Sequence, residues 1–210
     1  MTGNNSEVFS VLAIAISTLA LAVSAATAWL TLLRRGTVKM TQPTVIFFGP
    51  DGPRSSSLPE PQKKIFLRAL LFSTSKRGRI IENMYVSLSD ARATQDFNVW
   101  AYGEKNELVR GSGLFVGETG VEANHHFLVP KERASFRFVA GQQQLDVYAH
   151  LLGDAKRTLL FSQTLEISYE ATDAMSAAGA GLYFDWAPDK RQYVSHVDDP
   201  LSIWKKLGRA

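Results

Sequence analysis

Two adjacent histidines, preceded by an asparagine, form the first candidate for a metal site: Asn124, His125 and His126. Histidine is the commonest metal ligand in proteins. Neighbouring residues of a β-strand point to opposite faces, so these two imidazoles would diverge. The other histidines, His150 and His196, lie far along the chain, and the sequence contains no cysteine. We therefore interpret the histidines as structural or surface residues and predict neither a metal site nor a cofactor.

A glycine-rich stretch, residues 110–120, has the composition of a phosphate-binding loop. It contains Gly111, Gly113, Gly117 and Gly120. A dinucleotide fingerprint requires a strand before it, a helix after it and a defined glycine spacing. Here β-type sequence continues on both sides and the spacing differs. The glycines are better interpreted as turns and bulges between strands.

Nucleophilic chemistry has no recognisable motif in this chain. Serine, histidine and acidic residues nowhere combine in a nucleophile signature. The basic turn of residues 76–79, Lys-Arg-Gly-Arg, is typical of a solvated loop, although close to a membrane it would meet lipid headgroups. We predict no catalytic residue, so a non-enzymatic role is favoured over a catalytic one.

The first element of the chain is an apolar stretch, residues 8–33, which contains no charged residue. A bilayer core of about 30 Å requires roughly 20 apolar residues in a helix, so this stretch is long enough to span with tilt. Its hydroxyl groups can bond to carbonyls of the same helix. Trp29 suits the membrane interface, and Arg34 and Arg35 follow the stretch at once. These features predict a transmembrane helix.

The charges around this helix predict its direction. Arg34, Arg35 and Lys39 follow the helix, with no acidic residue before Asp51, whereas Glu7 precedes it. Lys and Arg prefer the cytoplasmic side. We expect an external N-terminus and a C-terminal domain in the cytoplasm, attached to the cell (inner) membrane.

A cleaved secretory signal is the alternative, and it would leave a periplasmic or extracellular domain. Residues 26–28, Ala-Thr-Ala, fit a small-x-small cleavage site. A signal peptide has a positive first region and a short apolar core. Residues 1–7 contain no Lys or Arg, and the apolar run is long, so an uncleaved anchor is favoured.

Small residues recur along one face of the helix. Ala20, Ser24 and Ala28 are spaced four residues apart. Small side chains let two helices approach closely in lipid, where van der Waals contact drives association. The pattern predicts a homo-oligomer formed through this helix.

Residues 44–170 carry nine short segments of β-type sequence separated by turn signals, with no strong helical period. The segments cover residues 44–48, 64–73, 80–88, 96–102, 108–116, 121–129, 135–139, 144–152 and 158–170, and they predict about eight strands. This pattern is typical of an all-β antiparallel sandwich or barrel, and we predict the sandwich.

The predicted sandwich resembles the immunoglobulin-like domains, above all in residues 138–149. The resemblance implies a fold class only, since the cysteine pair and the core tryptophan arrangement of antibody domains are missing. It implies nothing about function.

We divide the chain into an anchor (1–35), a tether (36–43), the sandwich (44–170) and a C-terminal part (171–210). The last part is predicted to hold a linker or weak helix of residues 171–181, a hairpin of residues 182–186 and 192–197, and a short amphipathic helix. Leu201, Trp204 and Leu207 would share the apolar face of that helix.

The charge of the chain, net +3, is spread rather than clustered, so nucleic acid is not expected as a partner. The expected partners are the lipid bilayer, an unidentified protein and a second copy of the chain. We predict a membrane-anchored binding or scaffold module; the alternative is a membrane-tethered enzyme with an unrecognised site.

Overall fold

A computed structural model describes residues 3–52, 62–104, 107–130, 136–178 and 180–198. Helix α1 (Gly3–Ala28) continues directly into a π-helical turn (Trp29–Leu33), and a second helix, α2 (Tyr169–Ala178), lies late in the chain. The strands are β1 (Val38–Met40), β2 (Val45–Pro50), β3 (Lys63–Ser73), β4 (Arg79–Ser89), β5 (Thr94–Phe97), β6 (Val99–Glu104), β7 (Glu107–Arg110), β8 (Leu114–Val116), β9 (Val121–Leu128), β10 (Gly141–Leu151), β11 (Thr158–Ile167), β12 (Gly181–Ala187) and β13 (Gln192–Asp198).

The strands form two antiparallel sheets, as the sequence predicts. The larger sheet has the order β13-β12-β2-β3-β9-β6-β7, with β1 beside β3. The smaller sheet has the order β11-β10-β4-β5, with β8 beside β4. Buried side chains from both sheets belong to one hydrophobic cluster, so the sheets face each other across a common core.

Alternating side chains of the central strands build this core. On β4 the alternate residues Met84, Val86 and Leu88 are buried, and on β10 Leu145 and Val147 are buried in the same way. Strand β3 carries apolar side chains on both faces because it is a central strand. The side chains of one face enter the core, and those of the other face are only partly covered. On these strands every second residue points inward, because successive side chains of a strand lie on opposite faces.

Two segments predicted as single strands are divided between the sheets. In residues 96–102, β5 pairs with β4 and β6 pairs with β9, and the chain crosses over at Asn98. Phe97 and Trp100 therefore both enter the core, from opposite sheets. In one continuous strand their side chains would point to opposite faces. Residues 108–116 divide likewise into β7 and β8.

The predicted strand 158–170 is too long, since β11 ends at Ile167. The Ser168 hydroxyl then accepts a hydrogen bond from the Ala171 amide (3.1 Å), which caps the start of α2. Tyr169 consequently begins α2 and is exposed. A bulge in the β10–β11 pairing also turns Leu159 outward, so it is 51% exposed.

The predicted strand 135–139 is wrong for the described residues 136–139, which are not in a strand. Their aromatic side chains still pack: Phe138 stacks on Phe48 with ring centroids 5.1 Å apart, and Phe136 contacts Phe97 at 5.4 Å. Aromatic contacts, without strand pairing, hold this segment against the core.

Segments on either side of residues 44–170 join the larger sheet. β1, which lies in the predicted tether, pairs with the end of β3. The predicted C-terminal hairpin is confirmed as β12 and β13, and β12 pairs with β2. The predicted tail helix of residues 200–209 lies outside the described residues.

Candidate functional site

Helix α1 has the length and composition of a membrane span. Its stretch Glu7–Thr31 has a mean hydropathy of 2.3 and is 0% buried against the rest of the protein. The hydroxyls of Ser17, Thr18 and Thr27 each donate to a carbonyl four residues earlier, at 2.8 Å. Hydroxyl groups that are bonded inside the helix need no partner in lipid. One helix near the N-terminus is long and apolar enough to cross a bilayer.

The predicted interface residues lie where α1 gives way to the sandwich. Trp29 begins the π-helical turn and is 61% exposed. The Arg34 amide donates to the Trp29 carbonyl at 2.9 Å, and Arg34 itself is extended, which ends the helix. Arg35 and Lys39 are exposed, the latter on β1. Their contact with headgroups stays a prediction.

The small-residue face of Ala20, Ser24 and Ala28 is exposed along α1. Because the predicted contact is between copies of the chain, helix self-association stays a prediction.

Self-association would be tested by replacing Ser24 with Leu. We expect Ser24→Leu to lower dimer formation in a membrane association assay, because a bulky side chain holds the two backbones apart. The matched control is Ala26→Leu, which lies about 200° around the helix at 100° per residue. Equal signals from the wild type and both variants would contradict association through this face.

The connection between α1 and the sandwich is short and held tightly. Only residues 34–37 separate the π-helical turn from β1. The Thr37 amide donates to the Thr74 hydroxyl (2.9 Å), and the Thr74 amide donates back to the Thr37 carbonyl (2.9 Å). A Cβ added at Gly36 would lie 2.7 Å from Ser75, so only glycine allows this approach. The helix end is thus bonded to the β3–β4 turn.

Arg79, at the start of β4, joins three segments at this place. Its guanidinium donates to the Gly36 carbonyl (3.0 Å) and to the Leu152 carbonyl (3.3 Å), and it pairs with Asp154 at 2.8 Å. The Arg79 side chain is only 11% exposed. A planar group with several fixed donors suits such a junction better than the point charge of a lysine.

A cleft of about 350 Å³ opens beside this junction. Its walls include Arg35, Arg77, Ile80, Phe115 and Leu152. Phe115 is 58% exposed and Leu152 is 51% exposed. Large apolar side chains at a rim of arginines form a surface that is both apolar and positive.

The two adjacent histidines face opposite sides of β9, as expected from their positions. His125 is fully buried, and the Trp100 indole N–H donates to its Nδ1 at 3.3 Å. His126 lies on the other face against the Phe66 ring, with centroids 4.9 Å apart. Within the described residues no three potential ligands come together as a metal group.

The electrostatics of His125 follow from its burial. Removal from water, together with the nearby His126, lowers the pKa of His125 to about 4. The imidazole is therefore neutral near pH 7 and serves as a hydrogen-bond acceptor inside the core. Its Nε2 has no hydrogen-bond partner among the described residues.

The glycine-rich stretch has a steric and conformational role. Gly111 lies against the Trp100 indole, and a Cβ there would be 2.0 Å from a ring carbon. Gly113 and Gly120 have positive φ angles of 72° and 80°, which glycine adopts without strain. These residues turn the chain from β7 to β8 and from β8 to β9.

A group of polar and aromatic side chains on the outer face of the smaller sheet was not singled out from the sequence. Tyr85 on β4 and Tyr148 on β10 stack with centroids 5.2 Å apart. Arg157 lies 4.4 Å over the Tyr148 ring and donates to the Tyr85 hydroxyl at 2.6 Å. We call these three residues the aromatic patch. In the sequence, both tyrosines alternate with the apolar residues of two predicted strands, and this spacing could have indicated that they face outward.

Comparison with protein families, with curated proteins and with solved structures finds no match to this chain.

Proposed function

We propose that this chain is a single-pass protein of the cell (inner) membrane, with its sandwich in the cytoplasm acting as a binding or scaffold module. The observation that carries the proposal is the exposure of α1. Its apolar stretch Glu7–Thr31 packs against none of the described sandwich, so its side chains remain open along the whole length. Contiguous apolar surface of this extent is unfavourable in water, and insertion in lipid removes it.

The side of the membrane is proposed from charge. Arg34, Arg35 and Lys39 follow the helix, and Lys and Arg close to a spanning helix are retained on the cytoplasmic side. The fixed connection through residues 34–37 would then hold the sandwich at the inner surface.

A reporter fused after Ala210 tests this topology. We expect a reporter that works only in the cytoplasm to be active there, and an export-dependent reporter to be silent, because the positive residues retain the domain inside. Alkaline carbonate should leave the protein in the membrane pellet with its N-terminal residues intact. Release by carbonate, a mature N-terminus near Trp29, or activity of the export-dependent reporter would contradict the proposal.

The binding role is supported by the aromatic patch. Tyrosine and arginine dominate the binding energy of many protein interfaces. Here Arg157 and both tyrosines are already held in place by stacking and by the hydrogen bond to Tyr85, so little conformational freedom would be lost on binding. A second protein docked on the outer face of the smaller sheet is the partner that we propose.

Crosslinking and capture from detergent-solubilised membranes would test this surface. We expect Arg157→Ala to lower recovery of a partner about tenfold or more, as for a hot-spot residue. Lys190→Ala, which changes an exposed lysine in the β12–β13 turn, is the matched control and should have no effect. Equal recovery with both variants would exclude the aromatic patch as the binding surface.

An immunoglobulin-like topology is a further part of the proposal. Counted along the chain, β2, β3, β6 and β9 correspond to strands A, B, D and E. In the larger sheet they are neighbours in the order A-B-E-D, which is the order of one immunoglobulin sheet. β4, β10 and β11 likewise have the positions of C, F and G. The order supports the relationship, whereas the buried Trp100 on β6 departs from antibody domains, which carry theirs on strand C.

A further inference from the structure

One end of the sandwich gathers the loops that lie next to α1. We call it the helix-proximal end and define it by residues 34–37, 74–78, 114–120 and 152–157. The segments are bonded together: the Ser73 amide donates to the Gly117 carbonyl (2.9 Å), and the Leu152 amide donates to the Ile80 carbonyl (2.9 Å). With the Arg79 junction, these bonds make the end a single surface that moves with the sandwich.

The exposed charges of the helix-proximal end are mostly positive. Arg34, Arg35, Lys76, Arg77 and Lys156 are all exposed. The acidic residues of these loops are Glu118 and Asp154, and Asp154 is already paired with Arg79. The surface therefore presents an excess of cations.

Two large apolar side chains project from the same end. Phe115 is on β8 and Leu152 is in the β10–β11 turn, and each is more than half exposed. A Cβ added at Gly78 would lie 2.5 Å from the Phe115 ring, so glycine in the β3–β4 turn makes room for this ring. Apolar groups flanked by Lys and Arg are characteristic of surfaces that bind the membrane interface.

Distance places this end at the bilayer. Fully extended, residues 34–37 would reach at most about 14 Å. The headgroup layer on each side of the hydrocarbon core is about 5–8 Å thick. Because Thr37 is bonded to Thr74, the β3–β4 turn lies near the headgroups whenever α1 is in the membrane. Long Lys and Arg side chains can extend over the remaining distance.

We propose that the helix-proximal end docks on anionic lipid headgroups of the bilayer that holds α1. Arg35, Lys76 and Arg77 contact lipid phosphates, while Phe115 and Leu152 enter the interface. This inference rests on the proposed membrane anchoring. Lipid is the occupant because the short connection to α1 keeps this surface next to the bilayer. The positive charge of the surface is also complementary to anionic headgroups.

Accessibility measurements on the full-length chain in lipid nanodiscs test the docking. The chain has no cysteine, so a single introduced cysteine can carry a nitroxide label. Leu152→Cys reports on the helix-proximal end, and Phe115→Cys is a second reporter there. Ala91→Cys, in the exposed β4–β5 turn at the other end of β4, is the matched control.

In nanodiscs of phosphatidylcholine with phosphatidylglycerol, we expect the two helix-proximal labels to collide less with a water-soluble nickel relaxant than the control label. Arg77→Gln should lower the ratio of docked to undocked domain about fivefold, as expected for the loss of one cation near an anionic surface. Arg92→Gln, which removes an exposed charge from the other end, should leave this ratio unchanged.

The docking would be overturned if the labels at positions 152 and 115 collided with the nickel relaxant as often as the label at position 91, in protein that remains in the discs. The anchor would then still stand. Equal protection in pure phosphatidylcholine would overturn the role of anionic headgroups. Failure of the chain to enter nanodiscs would instead overturn the anchoring itself.

Discussion

Replacing Gly111 with alanine should lower the free energy of unfolding by about 2–3 kcal/mol. The added Cβ would lie 2.0 Å from one ring carbon of Trp100 and 2.1 Å from another. The indole is 1% exposed and its N–H is bonded to His125, so it cannot move away without losing core packing and a hydrogen bond. Urea denaturation of the detergent-solubilised chain, followed by circular dichroism, measures the change.

The matched control for this variant is Gly103→Ala. Its added Cβ would lie 3.8 Å from Asn124, which is an ordinary contact, and its φ is not in the positive range. We expect a change within about 0.5 kcal/mol, as for most substitutions that disturb neither core packing nor special backbone angles. Equal denaturation midpoints for the two variants would contradict the assigned role of Gly111.

Acidification should destabilise the sandwich through His125. In the unfolded chain this imidazole binds a proton near pH 6.5, whereas burial in the folded chain lowers its pKa to about 4. Between these values the unfolded state binds more protons, so stability falls as the pH falls from 6.5 to about 4. At 1.36 kcal/mol per pKa unit the loss amounts to roughly 3 kcal/mol.

Denaturation midpoints at pH 7 and pH 4.5 measure this effect. His125→Gln should reduce the pH dependence, because glutamine does not titrate and its carbonyl can still accept from Trp100. His126→Gln is the control that retains the buried imidazole and most of the slope. The same slope in His125→Gln as in the wild type would refute the assignment.

Sequence patterns predicted the parts of the fold that depend on local alternation. Met84, Val86 and Leu88 could be assigned to the core from their spacing alone, because a strand with one buried face repeats every second residue. The crossings between sheets could not be found in this way. At Asn98 the chain changes sheet within one residue, and a continuous β-type pattern gives no sign of which sheet each half joins.

The end of β11 shows a different limit. Ser168 has a residue type that favours helix caps, but β-type residues precede it and the helix that follows is only ten residues long. Packing of Ala171 and Met175 against the core stabilises this helix. Such long-range burial outweighs weak local propensity.

The candidate site could be predicted only in part. The basic turn of residues 76–79 and the arginines after α1 were visible as charges in the sequence. Their common surface was not, because Arg79 links Gly36 to Leu152 and Asp154, which lie far apart along the chain. The aromatic patch was not predicted for the same reason, since Tyr85 and Tyr148 become neighbours only through the pairing of β4 with β10.

The pairing of β2 with β12 determines when the larger sheet can be completed during synthesis of the protein. β2 lies early in the chain and its partner lies late, with Phe48 opposite Leu182. At 5–20 residues per second, the ribosome needs on the order of ten seconds to produce the chain between them. Helix α1 is synthesised before either strand, so under the proposed anchoring it can enter the membrane during that interval. β2 and β3 can pair with each other early, whereas the β2–β12 edge of the larger sheet closes only after the last strands have been synthesised.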